Sequence, residues 1–334
     1  MDSKAFARLL AQGALPSVLL FEGEDEYFKR EALQSLRRAL LPAGLEELNE
    51  TLLDAPETDA VLAASETMPL MADRRLVIVR DHPALFGRAE ADDRLISYLP
   101  QVPPTTLLLF YCTQKPDGRK KLYNAVKKLD GIVTFAPLRD RELTTFVTDA
   151  FHRLGRECDE STADFLIFTS GSDANQLIGE IQKIASHAPG APVHPDEIRE
   201  LATPSLESTV FQMVDAVVGG QQARAFSLLR SQLQSGQDRV FILAMLLRQF
   251  RLMQHIKILQ YEKRSREAIR AALGVPAFAA DQYTRQAASY TNGQVKQAVE
   301  ICFRTEYEIK SGLLNAEGAL EAVMLKLMNI KKNH

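Results

Sequence analysis

The chain has no tryptophan, only three cysteines and only six histidines among its 334 residues. Cys112, Cys158 and Cys302 lie far apart, with no C-x-x-C pair and no histidine at zinc-ligand spacing. The histidines are scattered and form no H-E-x-x-H motif. The sequence therefore predicts no disulfide framework and no metal site, and we expect the thiols to be reduced, as in cytosolic proteins.

Long hydrophobic runs are also missing. No stretch of about eighteen apolar residues occurs, which excludes a transmembrane helix of ordinary length. The N-terminal segment MDSKAFARLLAQG has no apolar core of signal-peptide length. The net charge is -3, so the chain as a whole is not basic, whereas 46% hydrophobic residues suffice to bury a core. A length of 334 residues predicts two or three domains.

The first part of the chain alternates short apolar runs with helical patterns. The runs cover residues 18–21, 76–79, 107–111 and 132–135. They lack polar alternation, which is typical of strands covered on both faces. Leucines and valines spaced by three and four residues lie between the runs and predict amphipathic helices. This order predicts an α/β domain with a parallel sheet over residues 1–140.

After residue 140 the strand patterns stop. Helical segments at RELTTFVTDAFHRLG, STADFLIFTSG and DANQLIGEIQKIASHA are followed by a short helix that begins with proline and by a breaker at Pro204. We place a boundary there and predict a small helical domain over residues 141–205. The remainder, 206–334, is predicted to be wholly helical, with the apolar segment VFILAMLLRQF as its central buried helix.

The segment VLLFEGEDEYFKREALQSL, residues 18–36, has the outline of a phosphate-binding loop. The nucleotide-binding form is G-x-x-x-x-G-K-[ST], preceded by a strand and followed by a helix. Gly23 and Lys29 match this form, but Phe28 replaces the second glycine and Arg30 replaces the hydroxyl that would bind magnesium. We therefore expect a degenerate loop that binds no nucleotide and needs no cofactor.

The same loop carries Glu24, Asp25 and Glu26. Carboxylates are favoured at a helix N-terminus, yet they repel a triphosphate. The simplest interpretation is a capped turn in which Lys29 pairs with Glu26 or Glu22.

Other positions needed for nucleotide hydrolysis are also unfilled. The strand RRLVIV is followed by Arg80 and one carboxylate, Asp81, where a magnesium site would have two acids. A lone aspartate after a strand is usually a turn residue. In the helical part, Asn175 stands where a nucleotide-sensing arginine would be expected. We predict no catalytic residues in this chain.

The chain resembles the delta subunit of the bacterial DNA polymerase III clamp loader, an AAA+-related family whose nucleotide site is degenerate. The resemblance runs through LLFEGEDEYFKREAL, MPLMADRRLVIVRD, RKKLYNAVKK, VTFAPLRDREL, ESTVFQMVDAVVGGQQARAFSLLRSQL, ILAMLLRQFRLM and EIKSG. It implies an AAA+-like α/β domain, a small helical lid and a helical collar. It also implies a role in binding and opening the sliding clamp in the cytoplasmic, nucleoid-associated replisome. The implied partners are the beta clamp, the gamma/tau and delta prime subunits and primed DNA, with no membrane contact.

In that family a hydrophobic wedge before the second strand enters a pocket of the clamp. The matching stretch here is MPLMADRR, and the resemblance assigns the wedge to Leu70 and Met71, followed by Asp73, Arg74 and Arg75 as a polar rim. Methionine departs from the aromatic or large apolar residue that is typical of the second position. Without the resemblance, these apolar residues would be interpreted as core.

Two basic stretches are candidates for DNA contact. Residues 248–270 are interpreted as a solvated helix face or as salt-bridged, because no aromatic residues alternate with the cations. The stretch GRKKLYNAVKK is the better candidate, and we expect phosphate contact from Arg119, Lys120, Lys121 and Lys127.

Two alternatives remain beside the clamp-loader role. The chain could be a divergent P-loop ATPase, which nucleotide binding by the isolated chain would reveal. It could also be a helical scaffold without clamp contact, which a pull-down against the sliding clamp would reveal.

Overall fold

The computed structural model describes residues 1–273 and 277–332. The chain forms two compact units, Met1–Leu138 and Arg139–His334. The first unit contains a sheet covered by helices, and every element described in the second unit is a helix. The predicted fold class, an α/β domain with a parallel sheet followed by helical domains, is confirmed.

The sheet of the first unit has five parallel strands in the order β2-β3-β4-β1-β5. Strand β1 pairs with β4 from Val18 opposite Leu108 and with β5 from Leu20 opposite Ile132. The strands are β1 (Val18–Glu22), β2 (Glu50–Asp54), β3 (Arg75–Arg80), β4 (Thr106–Tyr111) and β5 (Ile132–Thr134).

Both faces of this sheet are buried. Along β1, Leu19 and Phe21 join a cluster with residues of α1 and α2, whereas Val18 and Leu20 join a second cluster on the opposite face. Successive side chains of a strand point to opposite faces, so a strand between two helical layers must be apolar at every position. The helices of this unit are α1 (Ser3–Ala11), α2 (Glu26–Leu40), α3 (Glu46–Asn49), α4 (Thr58–Glu66), α5 (Asp93–Tyr98) and α6 (Lys121–Lys128).

A large apolar core of the second unit lies around α13, which includes the VFILAMLLRQF segment. Ile242, Leu243, Leu246 and Phe250 of this helix are fully buried, which confirms its predicted central position, although Phe241 is exposed. The helices are α7 (Asp140–Arg153), α8 (Glu160–Ser170), α9 (Ala174–His187), α10 (Pro195–Leu201), α11 (Leu206–Val218), α12 (Gln222–Gln234), α13 (Arg239–Tyr261), α14 (Arg266–Leu273), α15 (Ala277–Ala288), α16 (Asn292–Lys310) and α17 (Ala319–Lys332).

The four strands expected from apolar runs are present as β1, β3, β4 and β5. The sequence pattern missed β2, which lies at the sheet edge. Its residues ETLLD are all exposed or half-buried, because an edge strand is incompletely covered. It therefore lacks the continuous apolar run by which the other strands were found.

Candidate functional site

The loop that resembles a phosphate-binding loop is short. Strand β1 ends at Glu22 and α2 begins at Glu26, so only Gly23, Glu24 and Asp25 connect them. The Asp25 carboxylate Oδ1 accepts a hydrogen bond from the Phe28 backbone N–H at 3.1 Å. A carboxylate of the chain itself thus satisfies the helix N-terminus, which is where a phosphate would bind in a nucleotide site.

Gly23 has a packing role in this loop. Its φ is 115°, and a Cβ built on it would lie 2.1 Å from the Phe135 carbonyl oxygen. The loop is fixed at this close approach by two backbone hydrogen bonds, from Phe135 N–H to Glu22 O at 2.8 Å and from Asp25 N–H to Phe135 O at 3.2 Å. Only glycine fits here, because the segment after β5 fills the space a side chain would need.

Lys29 is the residue that would bind the terminal phosphates of a nucleotide, and its side chain is 0% exposed. Its Nζ donates to the Cys112 carbonyl at 2.8 Å, lies 5.5 Å from the centre of the Tyr111 ring and forms an ion pair with Glu26. The predicted pairing of Lys29 with Glu26 is therefore confirmed. The ammonium points into the protein and its contacts are made by the chain itself.

Tyr111 completes this arrangement. Its hydroxyl donates to Glu26 Oε2 at 2.8 Å. Burial is the larger cause that raises the pKa of the phenol, and this hydrogen bond is the second. Phe28 packs partly against the apolar cluster beneath α2, while the Arg30 Nε donates to Glu26 O at 3.4 Å. The four degenerate-loop residues, Gly23, Phe28, Lys29 and Arg30, thus take part in local packing and hydrogen bonding.

Asp81 follows β3 and has a left-handed backbone, with φ of 48°. Its carboxylate accepts hydrogen bonds from the Thr113 N–H at 2.8 Å and from the Thr113 hydroxyl at 2.6 Å. It therefore joins the ends of β3 and β4, as expected of a turn residue. Asn175 lies in the first turn of α9 in the helical unit.

The segment between α4 and β3 exposes three large apolar side chains. Met68 is 78% exposed, Leu70 52% and Met71 83%. Interpreting them as core residues is therefore wrong. Met71 also has φ of 53°, a left-handed conformation that is uncommon for a residue other than glycine.

Two buried polar side chains hold the backbone of this segment. The amide of Asn49 hydrogen-bonds to both the N–H and the carbonyl of Leu70, at 2.7 and 3.0 Å. Arg75 is only 5% exposed, and its guanidinium donates to Thr67 O at 3.3 Å and to the Thr51 hydroxyl at 2.7 Å. Placing Arg75 in a polar rim is therefore wrong, because its side chain points inward; burial lowers its pKa.

Sequence reasoning missed Asn49. It lies 21 residues before Leu70 in the chain, and nothing in the sequence around it distinguishes it from a surface asparagine. Its role becomes visible only when α3 and the exposed segment are brought together.

The four basic residues considered for DNA contact lie at or just before α6. Arg119 is exposed and pairs with Asp117 at 2.9 Å, and its guanidinium lowers the pKa of that carboxyl to about 2. Lys120 donates to Ala89 O at 2.8 Å, and Lys121 lies 3.4 Å from Asp93. Lys127 is exposed on α6. Nearby carboxylates therefore offset part of the positive charge of this surface.

Within residues 1–273 and 277–332, no group of three or more histidine, cysteine, aspartate or glutamate side chains is arranged to hold a metal ion. No helix in those ranges is long and apolar enough to cross a bilayer.

Two family models match the chain in sequence order. The model of the DNA polymerase III delta subunit matches residues 19–136, and that of the C-terminal domain of the same subunit matches residues 207–327. The chain belongs to the DNA polymerase III delta subunit family. The first match contains the loop of residues 23–25 that Asp25 caps, here named the capped loop. It also contains the exposed Met68, Leu70 and Met71.

Two members of the delta subunit family align with most of this chain. The DNA polymerase III subunit delta of Bacillus subtilis is 24% identical over 329 residues, covering 96% of this chain and 95% of that protein. The Escherichia coli subunit delta is 21% identical over 247 residues, covering 73% and 71%. A solved structure of the Bacillus subtilis DNA clamp loader delta protein superposes with a TM-score of 0.56 and 23% identity, covering 98% of this chain and 99% of that one. It supports the same fold along the chain.

Proposed function

We propose that this chain is the clamp-loader subunit that binds the sliding clamp and helps open it for loading onto primed DNA, in the cytoplasmic replisome. Membership of the delta subunit family supports this role. One observation carries the clamp contact: Leu70 and Met71 are exposed on a segment whose backbone is fixed from inside. The chain itself contributes no ATP hydrolysis in this proposal, since groups of the chain occupy both the helix N-terminus and the lysine of its loop.

Leu70 and Met71 are suited to enter an apolar pocket. Burying an exposed side chain of this size in a partner stabilises the complex by roughly 1.5 to 3 kcal/mol. Two side chains that are fully exposed in the free chain would therefore contribute about 3 to 6 kcal/mol. Because Leu70 is already half covered in the free chain, we expect the binding energy of the pair to lie nearer the lower of these values. Met71 has an unbranched, flexible side chain and adapts to an irregular pocket.

The test is the double variant Leu70→Ser/Met71→Ser in the full-length chain. We expect clamp affinity, measured by surface plasmon resonance, to fall by about two to three decades. The melting temperature should fall only slightly, because Met71 is 83% exposed and Leu70 is half exposed in the free chain. The matched control is Leu313→Ser/Leu314→Ser, which removes two other exposed leucines and should leave clamp affinity unchanged. Full clamp affinity in the Leu70/Met71 variant would exclude the wedge.

The helical region after residue 205 is proposed as the collar that joins the gamma/tau and delta prime subunits. A large apolar core stabilises it, and the match to the C-terminal family model begins at residue 207. We retain three domains, 1–140, 141–205 and 206–334, for this proposal. Removing residues 206–334 should abolish co-elution with the other subunits in size-exclusion chromatography, and continued co-elution would exclude the collar.

We further propose that the basic residues at α6, above all the exposed Lys127, contact the phosphate backbone of primed DNA in the assembled loader. Contacts of this kind are independent of sequence and weaken with salt.

A further inference from the structure

The segment carrying Leu70 is held from its inner side by Asn49, the last residue of α3, which is fully buried. Asn49 Nδ2 donates to Leu70 O at 3.0 Å and to Leu45 O at 3.1 Å, and Asn49 Oδ1 accepts from Leu70 N–H at 2.7 Å. One side chain thus satisfies both backbone polar groups of Leu70, as a neighbouring strand would. Two hydrogen bonds to one residue fix its orientation as well as its position.

The chemistry of this contact requires an amide. A primary amide places a donor and an acceptor side by side, whereas a carboxylate can only accept. Both bonds from Asn49 Nδ2 end on carbonyl oxygens. In an aspartate the second oxygen would face the carbonyls of Leu45 and Leu70, and these contacts would become repulsive.

A second attachment lies three residues earlier, where Arg75 donates to Thr67 O. The segment is therefore held at Thr67 and at Leu70, and the chain turns through the left-handed backbone of Met71 directly after the second attachment. These attachments are made by side chains that are themselves buried, so they leave Leu70 and Met71 exposed.

We propose that Asn49 is a positioning residue for the clamp contact: it presents Leu70 and Met71 in one arrangement before the partner arrives. This inference rests on the proposed function. A mobile segment loses backbone freedom when it binds, and that loss lowers affinity, whereas a segment already ordered avoids it. Freeing one or two residues should therefore weaken clamp affinity on the order of ten- to a hundredfold.

The experiment compares Asn49→Asp with Asn124→Asp in the full-length chain. Asn124 is a matched control, because its Nδ2 also donates to two backbone carbonyls, Gly118 O at 3.2 Å and Lys120 O at 2.9 Å, but on α6. We expect Asn49→Asp to weaken clamp binding as stated and to accelerate hydrogen exchange at the Leu70 amide. Asn124→Asp should change neither. Asn49→Ala tests the same loss without adding a charge.

A double-mutant cycle separates positioning from general destabilisation. Once Leu70→Ser/Met71→Ser has removed the contact, Asn49→Ala should have little further effect on affinity. Additive losses would show that Asn49 acts elsewhere and would overturn the inference. Unchanged affinity in both Asn49 variants, beside a weakened Leu70/Met71 variant, would overturn it while leaving the proposed function intact.

Failure of the proposed function has a different result: the Leu70/Met71 variant itself keeps full affinity. Thermal melting shows whether each variant is folded. If neither Asn49 variant folds, hydrogen exchange in the unaltered chain decides, because a Leu70 amide that exchanges as fast as a free peptide would overturn the inference.

Discussion

Two loops of the α/β unit each depend on a buried cation, and they use it in opposite ways. Beside the capped loop, Lys29 is fully buried and its ammonium contacts Glu26, Cys112 O and the Tyr111 ring. Beside the segment 67–74, Arg75 is almost as buried, yet it contacts backbone carbonyls and leaves the apolar side chains outside. The first cation is paired within the protein and is withdrawn from solvent, whereas the second supports an exposed surface.

The difference supports the proposed location of the partner-binding surface in this unit. In the capped loop, the helix N-terminus and the lysine are both satisfied by the chain's own carboxylates, so an incoming anion would have to displace them. In the segment 67–74, buried side chains satisfy both backbone groups of Leu70 and the carbonyl of Thr67, and apolar side chains remain exposed. Such a surface is suited to a protein partner rather than to a phosphate.

The largest effect is expected for Gly23→Ala, which tests whether the capped loop is fixed by packing. The φ of 115° is strained for alanine, and the new Cβ would lie 2.1 Å from Phe135 O. Strain and overpacking each cost about 1 to 3 kcal/mol, so we expect unfolding free energy to fall by about 3 kcal/mol.

Gly44→Ala is its control, because Gly44 also has positive φ, 84°, but no atom lies within 4 Å of its added Cβ. Urea denaturation of both variants separates backbone strain from the clash. Equal losses would show that the approach to Phe135 has no energetic role.

The next effect concerns Lys29→Met, which removes the buried cation of the capped loop. The Cys112 carbonyl then loses its lysine donor and Glu26 loses its cation, but Glu26 keeps the Tyr111 hydroxyl and, at 38% exposed, regains some hydration. We expect a loss of about 2 kcal/mol in the free energy of unfolding, with clamp affinity unchanged. A variant that weakened clamp binding without loss of stability would assign Lys29 to the interface.

Arg75→Met should have the opposite pattern to Lys29→Met: it should weaken clamp binding more than it lowers the free energy of unfolding. The energy involved should be smaller. Thr67 O and the Thr51 hydroxyl lose a donor, so the segment 67–74 becomes more mobile. We expect clamp affinity to fall about tenfold, or about 1.4 kcal/mol. Stability should change less than in Lys29→Met, because the groups that Arg75 contacts here are uncharged, whereas Lys29→Met leaves the Glu26 carboxylate without its cation. Surface plasmon resonance and denaturation measured on both variants test this reversal.

In the last test we expect no binding of MgATP at all. Isothermal titration calorimetry of the isolated chain with MgATP should give no saturable heat at micromolar nucleotide, and Lys29→Met should give the same trace. Saturable binding that Lys29→Met abolishes would restore the P-loop ATPase alternative.

Much of the α/β unit was predictable because its strands are buried on both faces. Strand β4 is buried at all six positions, and a short apolar run such as LLLF is typical of a strand covered by helices on both sides. Strand β2 was missed for the opposite reason, since its position at the edge leaves Leu52 half exposed. The capped loop was also predictable, because Asp25 and Glu26 act within a few residues of Lys29.

The supports of the segment 67–74 were not predictable, because they join distant parts of the chain. Asn49 reaches Leu70 across 21 residues, and Arg75 reaches Thr51 across 24. Arg75 stands beside Asp73 and Arg74, so its sequence context resembles an exposed charged rim. The contact of Arg75 with Thr51 becomes apparent only when β2 and β3 are neighbours in the sheet.

The strand order has a consequence for synthesis on the ribosome. Strand β1 pairs with β4 and β5, and Val18 and Leu108 are separated by about 90 residues of chain. At roughly 5 to 20 residues per second, β1 is made some 5 to 20 seconds before its first sheet partner. During that interval the apolar segment VLLF has neither of its partner strands, so the nascent chain carries an unpaired apolar segment of the kind that promotes aggregation.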